Sequence, residues 1–132
     1  MSVISVLVKD ETTGGKTVHS VAIELPASLV TVGEIIERRV ATEIDTYNKK
    51  RDKNYYGLIQ PDDAEITADG FRLHKFRQID AKKQIEIAKD AFLNNGFFIL
   101  IDNIQAESLE QTFVLHHQSE ISFVKLTPLV GG

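Results

Sequence analysis

Thr17-Val18-His19-Ser20-Val21-Ala22-Ile23-Glu24-Leu25, followed beyond Pro26 by Thr31-Val32-Gly33-Glu34, decides the fold, because a strand-like stretch gives way there to a helix start. The first part is rich in β-branched residues, which suit a pleated surface. Toward the N-terminus, Val3 to Lys9 has the same character. The two stretches are separated by Asp10-Glu11-Thr12-Thr13-Gly14-Gly15-Lys16, a turn-forming segment, so a β-hairpin is expected. In the second part Thr31 and Glu34 have capping-box spacing: the threonine hydroxyl accepts from the backbone three residues on while the glutamate reaches back. Val32, Ile35, Ile36, Val40, Ile44 and Tyr47 then recur every three to four residues, with Glu37, Arg38 and Glu43 on the wet side. A helix over about 32 to 47 follows.

Further along, 48 to 78 is less regular and reads as an insertion with one short strand near 71 to 76. Asp80 is placed to cap a second helix over about 81 to 94, in which Ile85, Ala88 and Phe92 share a face. Asn94-Asn95-Gly96 supplies its left-handed terminator. Phe97-Phe98-Ile99-Leu100-Ile101 is a continuous apolar run, as expected of a central strand over 97 to 102. Asp102-Asn103 turns the chain. A polar segment runs to Glu110, then a strand from Thr112 to Leu115, a turn at His116-His117-Gln118-Ser119, and a last strand from Glu120 to Leu126. Alternation there puts Ile121 and Phe123 on one face and Ser122, Val124 and Leu126 on the other. The second face is either open to a partner or covered by the insertion.

The chain of 132 residues is long enough for one domain with its own core. Its 42% hydrophobic and 26% charged residues are ordinary for a globular protein. A net charge of -4 argues against nucleic acid, whose binders need a basic surplus. Cysteine is absent, which excludes disulfides, thiolate zinc sites and a cysteine nucleophile, and fits a reducing cytoplasm. The N-terminal apolar run is broken by Lys9-Asp10-Glu11 and reads as a strand, not a signal peptide; no run is long enough to cross a bilayer.

Hairpin, helix and then strands ending in a tail is the order of the β-grasp fold. Phe98-Ile99-Leu100-Ile101-Asp102-Asn103, a spacer to Leu115, Glu120-Ile121-Ser122-Phe123 and the closing Pro128-Leu129-Val130-Gly131-Gly132 together resemble the ubiquitin-like sulfur carriers. These include the small subunit of molybdopterin synthase and the thiamine-pathway sulfur carrier, with tails of the Pro-x-Val/Ile-x-Gly-Gly type. The resemblance spans 1 to 47 and 97 to 132. It departs from the family at Gln118-Ser119, where a Gly-Asp turn is common, and in the insertion at about 48–96.

The fold so implied is α+β: a ubiquitin-like β-grasp with a mixed sheet, one main packed helix and an inserted segment carrying a second helix. It forms a single domain over 1–132, with a flexible tail at 127–132. The function implied is that of a protein substrate, not an enzyme. The Gly132 carboxylate, next to Gly131, is adenylated by an ATP-dependent activating enzyme. It is then joined to a target amine through a conjugating enzyme, as in a ubiquitin-like modifier, or converted to a thiocarboxylate by a sulfur-transfer partner. The insertion tilts the choice toward the modifier; a non-catalytic ubiquitin-like adaptor is the reading from another class.

Ser122, Val124 and Leu126, with Pro128, Leu129 and Val130, form the expected docking surface. Six extended residues beyond Leu126 reach roughly 20 Å, enough to enter a neighbouring protein. A β-carbon at either final position would crowd a narrow channel. Two terminal glycines arise by chance in roughly 0.5% of chains, so the pair is weighed as functional rather than as a frayed terminus. The chemistry is expected to end at Gly132 without prior cleavage. No cofactor or metal site is implied in this chain.

Other motifs read more plainly. Gly15-Lys16-Thr17 imitates the end of a phosphate-binding loop, but Asp10 stands where the first glycine belongs, and a strand follows. His116 and His117 are adjacent and point to opposite faces, with no third ligand. Asp62, Asp63 and Glu65 lack calcium-loop spacing and read as a wet acidic loop. Lys49 to Lys53 reads as an exposed helix end, where cations suit the dipole, or as a contact for an acidic partner.

Overall fold

The computed structural model describes residues 3–68 and 70–126. In chain order the elements are β1 (Ile4–Glu11), β2 (Thr17–Leu25), β3 (Leu29–Thr31), α1 (Val32–Lys50), β4 (Asn54–Tyr55), β5 (Glu65–Ile66), β6 (Phe71–Arg72), α2 (Ala81–Leu93), β7 (Phe97–Ile101), β8 (Ile104–Gln105), β9 (Thr112–Val114) and β10 (Glu120–Lys125). The architecture is α+β. Among the described residues the main sheet has five strands in the order β2-β1-β10-β7-β8. β1 and β10 run parallel, and the other neighbours are antiparallel. β3 and β9 form a separate ribbon, and β4, β6 and β5 a small sheet inside the insertion.

Local signals account for most boundaries. The hairpin closes through Thr12 N–H to Lys16 O at 2.9 Å, so Gly15-Lys16 belongs to a turn. At the start of α1 both halves of the capping box are made: Glu34 N–H donates to Thr31 Oγ1 at 3.1 Å, and Thr31 N–H to Glu34 Oε1 at 2.9 Å. Two further N–H groups at this helix start, those of Val32 and Gly33, donate to the carbonyls of Gln111 and Leu109, so the polar segment before β9 closes the helix end. α1 runs on to Lys50, beyond the expected 47, with Lys49 and Lys50 in its last turn and a left-handed Arg51 as terminator. Asp80 caps α2 as expected, accepting from Lys82 N–H at 3.1 Å. The terminator of α2 is Asn95, at φ 60°, rather than Gly96, whose N–H instead closes the turn onto Ala91 O at 2.7 Å. Asp102 and Asn103 both have positive φ, as a two-residue hairpin turn between β7 and β8 requires.

Val6, Val8, Ile23, Leu25, Phe97, Ile99, Ile101, Ile121 and Phe123 fill the inner face of the sheet. They are covered by Val32, Ile35, Ile36, Val40, Ile44 and Tyr47 of α1. Burying each such side chain is worth about 1.5–3 kcal/mol. A one-residue slip of β10 would exchange Ile121 and Phe123 for Glu120 and Ser122, so burial alone holds the register. Phe97 to Ile101 shares the sheet of β1, as anticipated, but the middle place belongs to β10; Ile121 and Phe123, both 0% exposed, are enclosed there by neighbours on each side.

The insertion leaves this sheet uninterrupted. α2 packs on α1, and its Ala88 and Phe92 join Leu58, Ile59, Leu73 and Ile79 in the same apolar cluster. The strand expected near 71 to 76 shrinks to Phe71–Arg72, paired with two other short strands that local pattern did not reveal.

Candidate functional site

Ser122 and Val124 lie half-buried on the sheet face opposite α1, and Leu126 follows β10 at 39% exposed. Ser122 Oγ donates to Glu11 Oε2 at 3.1 Å, and Leu126 N–H donates to Gly96 O at 3.3 Å. A shallow groove of about 350 Å³ crosses this face, lined by Glu11, Phe98, Leu100, Gln105, Val124 and Leu126 among others. None of its lining residues comes from 48–96, while Leu126 also borders a second cleft walled in part by the insertion. Pro128, Leu129, Val130, Gly131 and Gly132 lie outside the described residues.

Beneath the end of β10 sits a charge cluster that periodicity did not disclose. Arg39 of α1 is 0% exposed. Its guanidinium grips the Asp10 carboxylate with both terminal nitrogens, Nη1 to Oδ1 and Nη2 to Oδ2, the latter at 2.6 Å. It also meets Glu43 one turn on, Nη2 to Oε2 at 3.2 Å and Nε to Oε1 at 3.4 Å. Its carbon lies 4.6 Å from the centre of the Phe123 ring, which adds a cation–π contact. Leu58 N–H donates to Glu43 Oε1 at 3.2 Å, Lys125 Nζ lies 3.7 Å from Asp10 Oδ2, and His19 Nε2 lies 4.0 Å from Glu43 Oε2.

Two expectations are corrected here. Asp10 is not a turn residue: β1 continues through it, and alternation from Val6 and Val8 turns it inward, 2% exposed. Glu43 is not on the wet side: the spacing 32, 35/36, 39/40, 43/44, 47 places Arg39 and Glu43 within the buried stripe, and Glu43 is 5% exposed. The legible signal was an i, i+4 pair of opposite charges at core-facing positions.

Burial opposes every charge in this cluster, and the outcome differs by residue. For Asp10 burial pushes the carboxyl up, but Arg39 outweighs it and holds the group below its ordinary value. For Glu43 burial, reinforced by the charge of Asp10, outweighs Arg39 and raises it. Lys125 is lowered by burial against the pull of Asp10. Burial also raises the Tyr55 hydroxyl, with Glu43 adding to the effect. Arg39 remains charged: its pKa is raised because the two carboxylates overcome the cost of burial. The cluster ties the ends of β1 and β10 to the middle of α1, and so fixes where the chain leaves the sheet.

Beside it opens a cleft of about 360 Å³ between the sheet end and the insertion. Asp10, His19 and Lys125 line one side, and Tyr56, Ile66 and Phe71 another. Gly57, also on its wall, is required: a β-carbon there would overlap the ring and hydroxyl of Tyr55. Tyr55 holds its place edge-on to Tyr47 at 5.4 Å and stacked on Phe71 at 6.4 Å.

Among the described residues no group of three or more His, Asp or Glu side chains is arranged to hold a metal ion. His116 and His117 are both exposed beside the turn before β10, and Asp62, Asp63 and Glu65 do not gather, Asp62 meeting Lys83 at 3.9 Å instead. No described helix is long and apolar enough to cross a membrane. In comparisons with known proteins, no family model matches the chain, and no curated protein or solved structure is significantly similar to it.

Proposed function

We propose that this chain is a ubiquitin-like modifier of the β-grasp class, whose Gly132 carboxylate is adenylated by a partner activating enzyme and then joined to a target amine. The observation that carries this reading is the order β2-β1-β10-β7-β8, with a parallel β1/β10 pair, one helix laid across the inner face, and the last strand leading toward Pro128-Leu129-Val130-Gly131-Gly132. Hairpin, crossover helix and a returning parallel strand is the grasp arrangement. The open face bearing Ser122, Val124 and Leu126 serves as the docking surface beside that tail.

The chemistry divides between the proteins. A carboxylate oxygen attacks the α-phosphorus of ATP, pyrophosphate leaves, and an acyl-adenylate forms. An amine then attacks the acyl carbon and AMP departs, leaving an amide and a released proton. The partner supplies the charge stabilisation for adenylation, and this chain supplies the acid and the surface that positions it. A sulfur carrier would share the first step and end in a thiocarboxylate.

The test is ATP–pyrophosphate exchange with the partner enzyme, using the full chain, a form lacking Gly132 and a form with one alanine added after it. Loss of Gly132 retracts the acid by roughly 3.5 Å, and misplacement of about 1 Å costs on the order of 100-fold in rate. Both altered forms are expected to bind and fail to exchange. Equal exchange by all three removes Gly132 from the chemistry. Intact-mass measurement of the product separates the outcomes: a conjugate adds the mass of a target, a thiocarboxylate that of one oxygen-to-sulfur exchange, and an adaptor adds nothing.

A further inference from the structure

The cleft between the end of the main sheet and the small sheet of the insertion has a polar end at which the described carboxylates, Asp10 and Glu43, are already partnered. Both Asp10 oxygens are held by Arg39, and those of Glu43 by Arg39 and the Leu58 N–H. Arg39 is wholly buried, with its nitrogens turned to these two acids. Two nitrogen side chains, Lys125 and His19, also face the cleft. Lys125 Nζ has Asp10 Oδ2 as its described partner at 3.7 Å, beyond ordinary hydrogen-bond reach, and its side chain is 31% exposed. His19 is 31% exposed, with Glu43 no nearer than 4.0 Å. Among the described residues of the wall, a cationic ligand would meet the Lys125 ammonium and find both carboxylates already partnered. An anion would complete the coordination of Lys125 and His19.

The rest of the wall is apolar. Ile66 is 63% exposed and Tyr56 44%, both large hydrophobic side chains facing the same cavity as Phe71. A volume of about 360 Å³ falls at the low end of small-molecule sites. With one ammonium and one imidazole among the described lining residues, a monoanion fits better than a doubly charged phosphate.

We infer that this cleft binds a small amphiphilic carboxylate, its head group on Lys125 and His19 and its apolar body between Tyr56, Ile66 and Phe71. The site makes no use of the Gly132 carboxylate, although it shares Leu126 with the proposed docking face, and it draws walls from the insertion, which gives that segment a role in ligand recognition.

The experiment titrates ¹⁵N-labelled full-length protein with octanoate, octanol and octylamine at pH 7. Octanoate is expected to give saturable shifts at the amides of Tyr56, Gly57, Gly70 and Leu126, to bind about tenfold or more tightly than octanol, and to outcompete octylamine. Lys125→Met should remove that preference while leaving octanol unchanged, and Lys125→Arg should retain it. Ile66→Glu, at a position 63% exposed, should abolish octanoate binding without shifting the melt. Equal affinity for octanoate and octanol, preference for octylamine, saturable shifts confined to another surface, or no saturation would each overturn the assignment.

Discussion

Replacing Arg39 by methionine tests the view that one guanidinium compensates two buried acids. The substitution keeps the length and apolar bulk of the side chain, so the change is electrostatic more than steric. It leaves Asp10, 2% exposed, with Lys125 at 3.7 Å, and Glu43, 5% exposed, with the Leu58 N–H at 3.2 Å and His19 at 4.0 Å. Removing one partner of a buried ion pair costs about 3–5 kcal/mol, because the remaining charge is stranded away from water. Against a total of about 5–15 kcal/mol for a domain, that is a large share. In urea, with a slope of about 2 kcal/mol per molar, the midpoint should fall by roughly 2 M at pH 7.

The loss should shrink in acid. In the wild type the depressed Asp10 contributes stability that is present above its unfolded-state pKa and lost as pH falls through the folded one. The raised Glu43 acts oppositely, its contribution being present at low pH and lost as pH rises through its folded value. Without Arg39 both carboxyls are raised, so protonation between pH 7 and pH 4 relieves the variant more than the wild type. Combining Arg39→Met with Asp10→Asn and Glu43→Gln should restore part of the stability, since neutral groups are cheaper to leave buried. A midpoint within about 0.5 M of wild type at pH 7, or a deficit that grows in acid, would refute the reasoning.

Two further outcomes are expected. Gly57→Ala drives a β-carbon into the buried Tyr55 ring, which Tyr47 and Phe71 hold in place, so a cost of about 1–3 kcal/mol is expected; an unchanged thermal melt by circular dichroism would show that the ring gives way. Val124→Asp places a charge on the half-buried face opposite α1 and, on the proposed docking role, should weaken binding to the activating enzyme by more than about 1 kcal/mol in calorimetry while leaving the melt nearly unchanged; undiminished affinity or a collapsed fold would reject that role.

Thr31 and Glu34, the hairpin turn ahead of Thr17, Asp80 and the alternation of Ile121 and Phe123 were legible because each rests on forces acting over a few residues: a cap, a turn, a period. The strand order, the true middle strand and the ribbon of β3 with β9 were not, since pairing joins segments far apart in the chain and any apolar run suits several places in a sheet. Short strands such as Asn54–Tyr55 carry too few residues to show a period at all. The charge cluster makes the division sharpest. Glu43 reads as a solvent residue until Asp10, 29 positions before Arg39, is brought beside the guanidinium that compensates both acids. Local pattern determines which face of α1 is apolar. Only the packed sheet decides that a cation and two anions share that interior, because burial of each is tolerable only when the others are already there.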